Sequence, residues 1–251
     1  MWHLRGTWPV RQVLRERDAT TQAGFTAEAI SNRMREQPIL FMDGDEHRRQ
    51  RSMVARYFAP KTVSTRYRDL MEERADALIE EMAAAHVSRL EQVTLRYSVE
   101  VAAQVIGLTN SPVDKMARRL ERFFDQPGFD LTKPGVGRSR FQSIQAAITG
   151  NVPMLAFYLA DVRPAIKARR KERQQDVISH LLDEGRSGPG ILIECVTYGA
   201  AGMVTTREFL SMATLHMIRD ADLRDRYLAA DEPARLDILH EILRLEPVVG
   251  H

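Results

Sequence analysis

The sequence predicts a mainly α fold built around one long central helix. Glycine and proline cluster at Gln126–Gly137 and Gly185–Gly190, with smaller breaks near Pro38, Pro60, Pro112 and Pro247. Between these breaks apolar residues recur at spacings of three and four, and no Asn-Gly turn, fixed-period repeat or low-complexity tract interrupts them. One helical pattern continues from Ile191 to about Ile218, which at 1.5 Å per residue gives a strut of ~40 Å, enough to cross a whole domain.

The elements follow in order. Asp43 and Asp45 supply N-terminal capping and favourable charge for a helix over Glu46–Phe58, and Pro60 closes it. A second helix runs from Val63 to Ala85, with Val63, Tyr67, Leu70, Met71, Leu78 and Met82 on one face. Further helices are predicted over Leu90–Ile106, Val113–Phe124, Phe141–Leu159 and Arg163–Lys171. Asp176 caps a short helix through Leu182. After the long helix, Asp231 and Pro233 open a last one, which Pro247 stops.

With 251 residues, 44% hydrophobic and 28% charged, the chain suffices for a single domain, taken as 1–251. The net charge of +2 does not indicate a nucleic-acid partner. The single cysteine, Cys195, excludes an internal disulfide and a four-thiolate metal site, and fits a reducing, cytoplasmic setting. The N-terminus does not read as a signal peptide. The longest apolar run, Ile191 to Thr206, is broken by Glu194 and falls short of the ~20 residues a bilayer span needs, so no membrane partner is expected.

Three groups of residues carry candidate chemistry. His47, Arg51, Val54 and Phe58 share one helical stripe, read as core-facing, and two cations there would want an anionic ligand. The alternative is a solvated His47 and an Arg51 paired with an acid elsewhere. In the middle of the long helix, Gly199 and Gly202 each cost about 1 kcal/mol relative to alanine. Their small size admits a flat ligand or, equally, a closely packed helix. Thr205 can turn its hydroxyl onto the carbonyl of Ala201 and open or bend the helix there. Near the end, Glu241 and Arg244 share a face, an arrangement that matters only if buried and joined to further partners.

In order and spacing these segments resemble the cytochrome P450 family of heme-thiolate monooxygenases. Asp45-Glu46-His47-Arg48-Arg49-Gln50-Arg51 looks like the family's C helix, in which a histidine and the arginine four residues later bind the heme propionates. Asp176–Leu182 looks like the segment before its central I helix. Ala201-Gly202-Met203-Val204-Thr205-Thr206 looks like the oxygen-binding groove of that helix, and Glu241-Ile242-Leu243-Arg244 like the Glu-x-x-Arg of the K helix. Asp18–Phe25 suits the loop after the B helix.

The resemblance therefore implies a partial cytochrome P450 fold, from the B-helix region through the K helix. His47, Arg51, Ala201, Gly202 and Thr205 would be heme-binding, Thr205 catalytic, and Glu241 and Arg244 structural. It implies insertion of one oxygen atom from O2 into a small organic substrate, with a ferredoxin-type electron donor. Ala29 to Asp43 and Phe123 to Met154 would shape the substrate pocket.

Two departures qualify these expectations. Val204 stands where the family commonly has an acid, and Glu208, one turn on, is the candidate replacement as proton source. The family's Phe-x-x-Gly-x-x-x-Cys-x-Gly ligand loop does not occur in the sequence. Cys195 lacks that motif, so no metal ligand is assigned, and an incomplete domain, inactive by itself, is expected. The competing readings are a non-catalytic relic and a helical binding protein without heme. Lys167–Lys171, the one basic run, reads as a solvated face.

Overall fold

The computed structural model describes residues 4–16, 19–20, 38–124, 139–246 and 248. Much of both predicted pocket-shaping segments, most of the loop after the B helix, and Pro247 lie outside the described residues. Among the described residues the regular structure is helical throughout.

The helices are α1 (Thr7–Arg15), α2 (Gly44–Phe58), α3 (Arg68–Ala85), α4 (Leu90–Ile106), α5 (Val113–Phe124), α6 (Arg140–Phe157), α7 (Arg163–Lys171), α8 (Val177–Asp183), α9 (Gly188–Arg219), α10 (Ala221–Ala229) and α11 (Glu232–Leu245). A 3-10 turn at Ile39–Phe41 precedes α2, and wide π-type turns at Val63–Tyr67 and Tyr158–Val162 lead into α3 and join α6 to α7. The predicted limits of α4, α5 and α7 coincide with the observed ones. Helices α1 and α10 were not anticipated, because each is only 9 residues long and so short a stretch repeats its pattern too few times to be distinguished.

Capping fixes most of the starts. Side chains of Asp43, Asp176, Ser187, Asp220 and Asp231 each accept a hydrogen bond from a backbone N–H in the first turn of α2, α8, α9, α10 and α11, respectively. Ser139 and Gln142 form a reciprocal capping box at α6.

Helix α9 is the strut, 32 residues long and unbroken. It packs most extensively on α4 and also meets α5, α8, α10 and α11. The core lies along this line: Val99, Ile106, Met116, Phe157, Ile178, Ile191 and Met203 are each at most 2% exposed. Burial of such side chains contributes roughly 1.5–3 kcal/mol each.

Two buried ion pairs tie the surrounding helices together. Arg169, the middle of the predicted basic face, is 3% exposed and pairs with Asp176, while its Nη2 donates to Thr109 Oγ1 at 2.9 Å. The run 167–171 is therefore not a uniformly solvated face, because its middle cation is needed to neutralise the carboxylate that caps α8. Gly107, at φ +100°, is where α4 ends, and a Cβ there would lie 2.6 Å from the Asp176 carboxylate. Asp161, fully buried, is held by Arg119 through two bonds, the Nε one 2.6 Å long, and by the Ser111 hydroxyl.

Candidate functional site

The buried face of α2 differs from the predicted one. Gln50, Val54 and Tyr57 point inward, Arg51 and Phe58 are exposed, and His47 is half-buried. The three-and-four spacing selects Val54 and Tyr57 as the apolar anchor, and Gln50 completes that stripe because its amide is satisfied inside. Gln50 Nε2 donates to Glu194 Oε1 at 2.6 Å, and Arg186 donates to Gln50 Oε1. His47 and Arg51 thus occupy the edge of the helix, with no hydrogen-bond or ion-pair partner among the described residues.

Along α9, Glu194, Tyr198, Ala201, Thr205 and Glu208 fall at spacings of four, three, four and three, on one stripe. Its first half is covered by α2 and the 3-10 turn. Its second half is open: Ala201 is exposed and Thr205 is half-buried. The Thr205 hydroxyl donates to the Ala201 carbonyl within an α9 that stays helical across the bond, so the predicted hydrogen bond is present without a break. Glu208 Oε1 accepts from Arg207 Nε at 2.9 Å.

Gly202 points elsewhere. A Cβ at Gly202 would meet only the Cβ of Ala102 in α4, at 3.5 Å. Of the two readings left open for this glycine, the geometry supports close helix packing. Gly199 likewise borders Met203 and Leu120.

The cationic stripe of α2 and the small-residue stripe of α9 meet at one place. Phe58, on the His47–Arg51 stripe, contacts Tyr198, on the Ala201–Thr205 stripe, with ring centroids 5.7 Å apart. That contact lies at the C-terminal end of α2, seven residues after Arg51 and eleven after His47, and three residues before Ala201 on α9.

A buried polar cluster behind this surface was not anticipated as such. Burial holds the Glu194 carboxyl above the usual carboxylate range, partly offset by Tyr198, Arg186 and Gln50. Burial, then the nearby Glu194 charge, pushes Tyr198 strongly up. Glu194 Oε2 and Tyr198 Oη lie within each other's electrostatic reach, but neither makes a well-formed hydrogen bond. The sequence signal was the acid interrupting an otherwise apolar run.

Cys195 is completely buried in α9, and burial raises its thiol far above the ordinary value. It is a neutral core thiol, which is unsuited to bind iron as thiolate. Glu241 and Arg244 pair with each other at 2.6 and 2.8 Å on the surface of α11, with side chains 57% and 65% exposed. They are not brought to the α2–α9 surface by any contact. No cluster of metal-ligating side chains occurs among the described residues, and no helix there is long and apolar enough to cross a membrane.

No protein-family model and no curated protein matches the sequence. Solved structures do match in fold. CalO2 aligns over 96% of this chain and 60% of its own, at 20% identity and a TM-score of 0.66. P450BioI, solved in complex with hexadec-9Z-enoic acid ligated acyl carrier protein, aligns over 83% of this chain and 51% of its own, at 21% identity and a TM-score of 0.64. The cytochrome P450 CYP109B1 from Bacillus subtilis aligns over 82% and 54%, at 19% identity and a TM-score of 0.64. The chain spans about half the length of the structures it matches. Its helices, gathered around α9, have the fold of the bacterial cytochromes P450 over that part of their length.

Proposed function

We propose that this chain forms the heme-gripping and oxygen-facing part of a cytochrome P450 monooxygenase acting on a small organic substrate. The observation that carries the reading is the junction of the two stripes at Phe58 and Tyr198, with unpartnered cations on α2 and an open small-residue face on α9. Heme bound there supplies the redox chemistry that inserts one oxygen atom of O2 into the substrate.

The chain's own residues divide the remaining work. His47 and Arg51 take the two propionates in charge-assisted hydrogen bonds, Arg51 through its planar fork. Ala201 lets a flat macrocycle approach the backbone of α9. Thr205 holds its proton on the Ala201 carbonyl and must rotate away to release it toward the open face. Val204 offers no acid, so Glu208 is the nearest carboxylate on the stripe, held in place by its bond from Arg207 and positioned to relay a proton through water. Electrons come from a ferredoxin-type donor.

The residues fit the propionate and groove roles, and Cys195 does not fit the axial thiolate role. The second reading is a helical binding protein that works without heme. Titration of the purified chain with hemin, followed by the Soret band, separates the two. The proposal expects saturable binding weakened about tenfold or more by Arg51→Ala, the fold-change of one lost charge-assisted hydrogen bond. Reduction under carbon monoxide is expected to give no thiolate-type spectrum. Hemin uptake that does not saturate, or that His47→Ala and Arg51→Ala leave unchanged, would sink the proposal.

A further inference from the structure

We propose that the cleft between the C-terminal end of α2, the turn leading into α3, and α8 is a binding site for a small phosphorylated ligand. It is an open cleft of about 990 Å³, room for a small organic phosphate.

Three cations line this cleft, Arg56, Lys61 and Arg66, and none has a carboxylate within ion-pair distance among the described residues. The one acid in the lining, Asp183, is already engaged by Arg173 Nε at 2.7 Å. The arginines are instead held by neutral groups. Arg56 Nη2 lies 2.8 Å from His180 Nδ1 and 3.3 Å from the Tyr57 hydroxyl, and its guanidinium stacks 5.1 Å from the Tyr57 ring centre. Arg66 Nη1 donates to Gln175 Oε1 at 2.7 Å, and its guanidinium lies 5.5 Å from the Tyr67 ring centre.

These anchors position charge without neutralising it. Arginine has only donors, so His180 Nδ1 must accept, which puts the imidazole proton on Nε2. That Nε2 is buried and without a partner, and His180 is 8% exposed. The imidazole is a neutral wedge: burial, then the Arg56 charge, holds its pKa below the ordinary histidine value. Acidic residues on the same helix, Asp183 and Glu184, act weakly in the opposite direction. A protonated His180 could no longer accept from Arg56, so the neutral ring and the oriented guanidinium go together.

The class of ligand follows from the charge. Three cationic groups lining one cleft exceed what one carboxylate neutralises, and arginine forks match tetrahedral phosphate oxygens. The site lies away from the Phe58–Tyr198 junction in chemistry and lining, so it does not depend on the heme reading.

Isothermal titration of the full chain at fixed ionic strength tests this, with pyrophosphate, ADP and citrate as the three probes. Saturable one-site binding of pyrophosphate or ADP is expected, weakened about tenfold or more by Arg56→Gln and by Arg66→Gln. Lys61→Gln, on an exposed turn, should weaken it without altering the melting curve, which guards against loss of fold. ADP binding at least as tightly as pyrophosphate assigns an organic phosphate, and pyrophosphate alone an inorganic one. Citrate binding as tightly as either would overturn the phosphate assignment. No saturable binding, or equal affinity in all three variants, would overturn the site.

Discussion

Replacing Arg169 by methionine should destabilise the protein by about 3–5 kcal/mol, because it leaves the Asp176 carboxylate buried without its cation. The magnitude follows from the surroundings. Side-chain exposures of 4% and 3% leave no room for water to substitute, and the same carboxylate must still cap α8 through Ser179 N at 2.8 Å. Asp176→Asn keeps an acceptor for that cap but strands Arg169, so it should cost a comparable amount. The double variant removes both charges and should lose at least ~1.5 kcal/mol less than the sum of the singles, since residues in one buried pair couple by about 0.5–3 kcal/mol. Urea unfolding followed by far-ultraviolet circular dichroism measures all three. Single losses below ~1 kcal/mol, or additivity within ~0.5 kcal/mol, would refute the view that this pair locks α7 and α8 beneath the central helix.

Two further outcomes bear on the strut itself. Glu194 has a raised pKa in the fold, so its contribution to stability is fully present below the unfolded value near 4.5 and is lost as pH rises through the folded value; Glu194→Gln should remove that loss, and an unchanged pH profile of urea midpoints would contradict the burial argument. Gly202→Ala should stabilise the chain by about 0.5–1 kcal/mol, because a Cβ meets Ala102 at an ordinary 3.5 Å and a helix interior disfavours glycine. Gly107→Ala, at φ +100° against Asp176, should be destabilising in the same unfolding assay.

Helical periodicity made α4, α5, α7 and the long α9 legible to within a few residues, since each carries an apolar stripe bounded by a cap or a breaker. The face of α2 was misread for a physical reason. A stripe through His47, Arg51, Val54 and Phe58 and one through Gln50, Val54 and Tyr57 share Val54, and only the partners of Gln50, Glu194 and Arg186, decide between them. Those partners are 144 and 136 residues away. The Thr205–Ala201 bond was legible because it is local, whereas the direction faced by Gly202 depends on where α4 packs. Arg169 looked solvated for the same reason: its carboxylate lies beyond its own helix, on the cap of the next.

Hydrogen–deuterium exchange of the chain with and without hemin tests most directly the claim that α2 and α9 present one heme-binding surface. Added protection is expected along Gly44–Phe58 and in the second half of α9 around Ala201 and Thr205, and it should diminish in Arg51→Ala. Protection confined to other helices, or none under saturating hemin, would contradict the account.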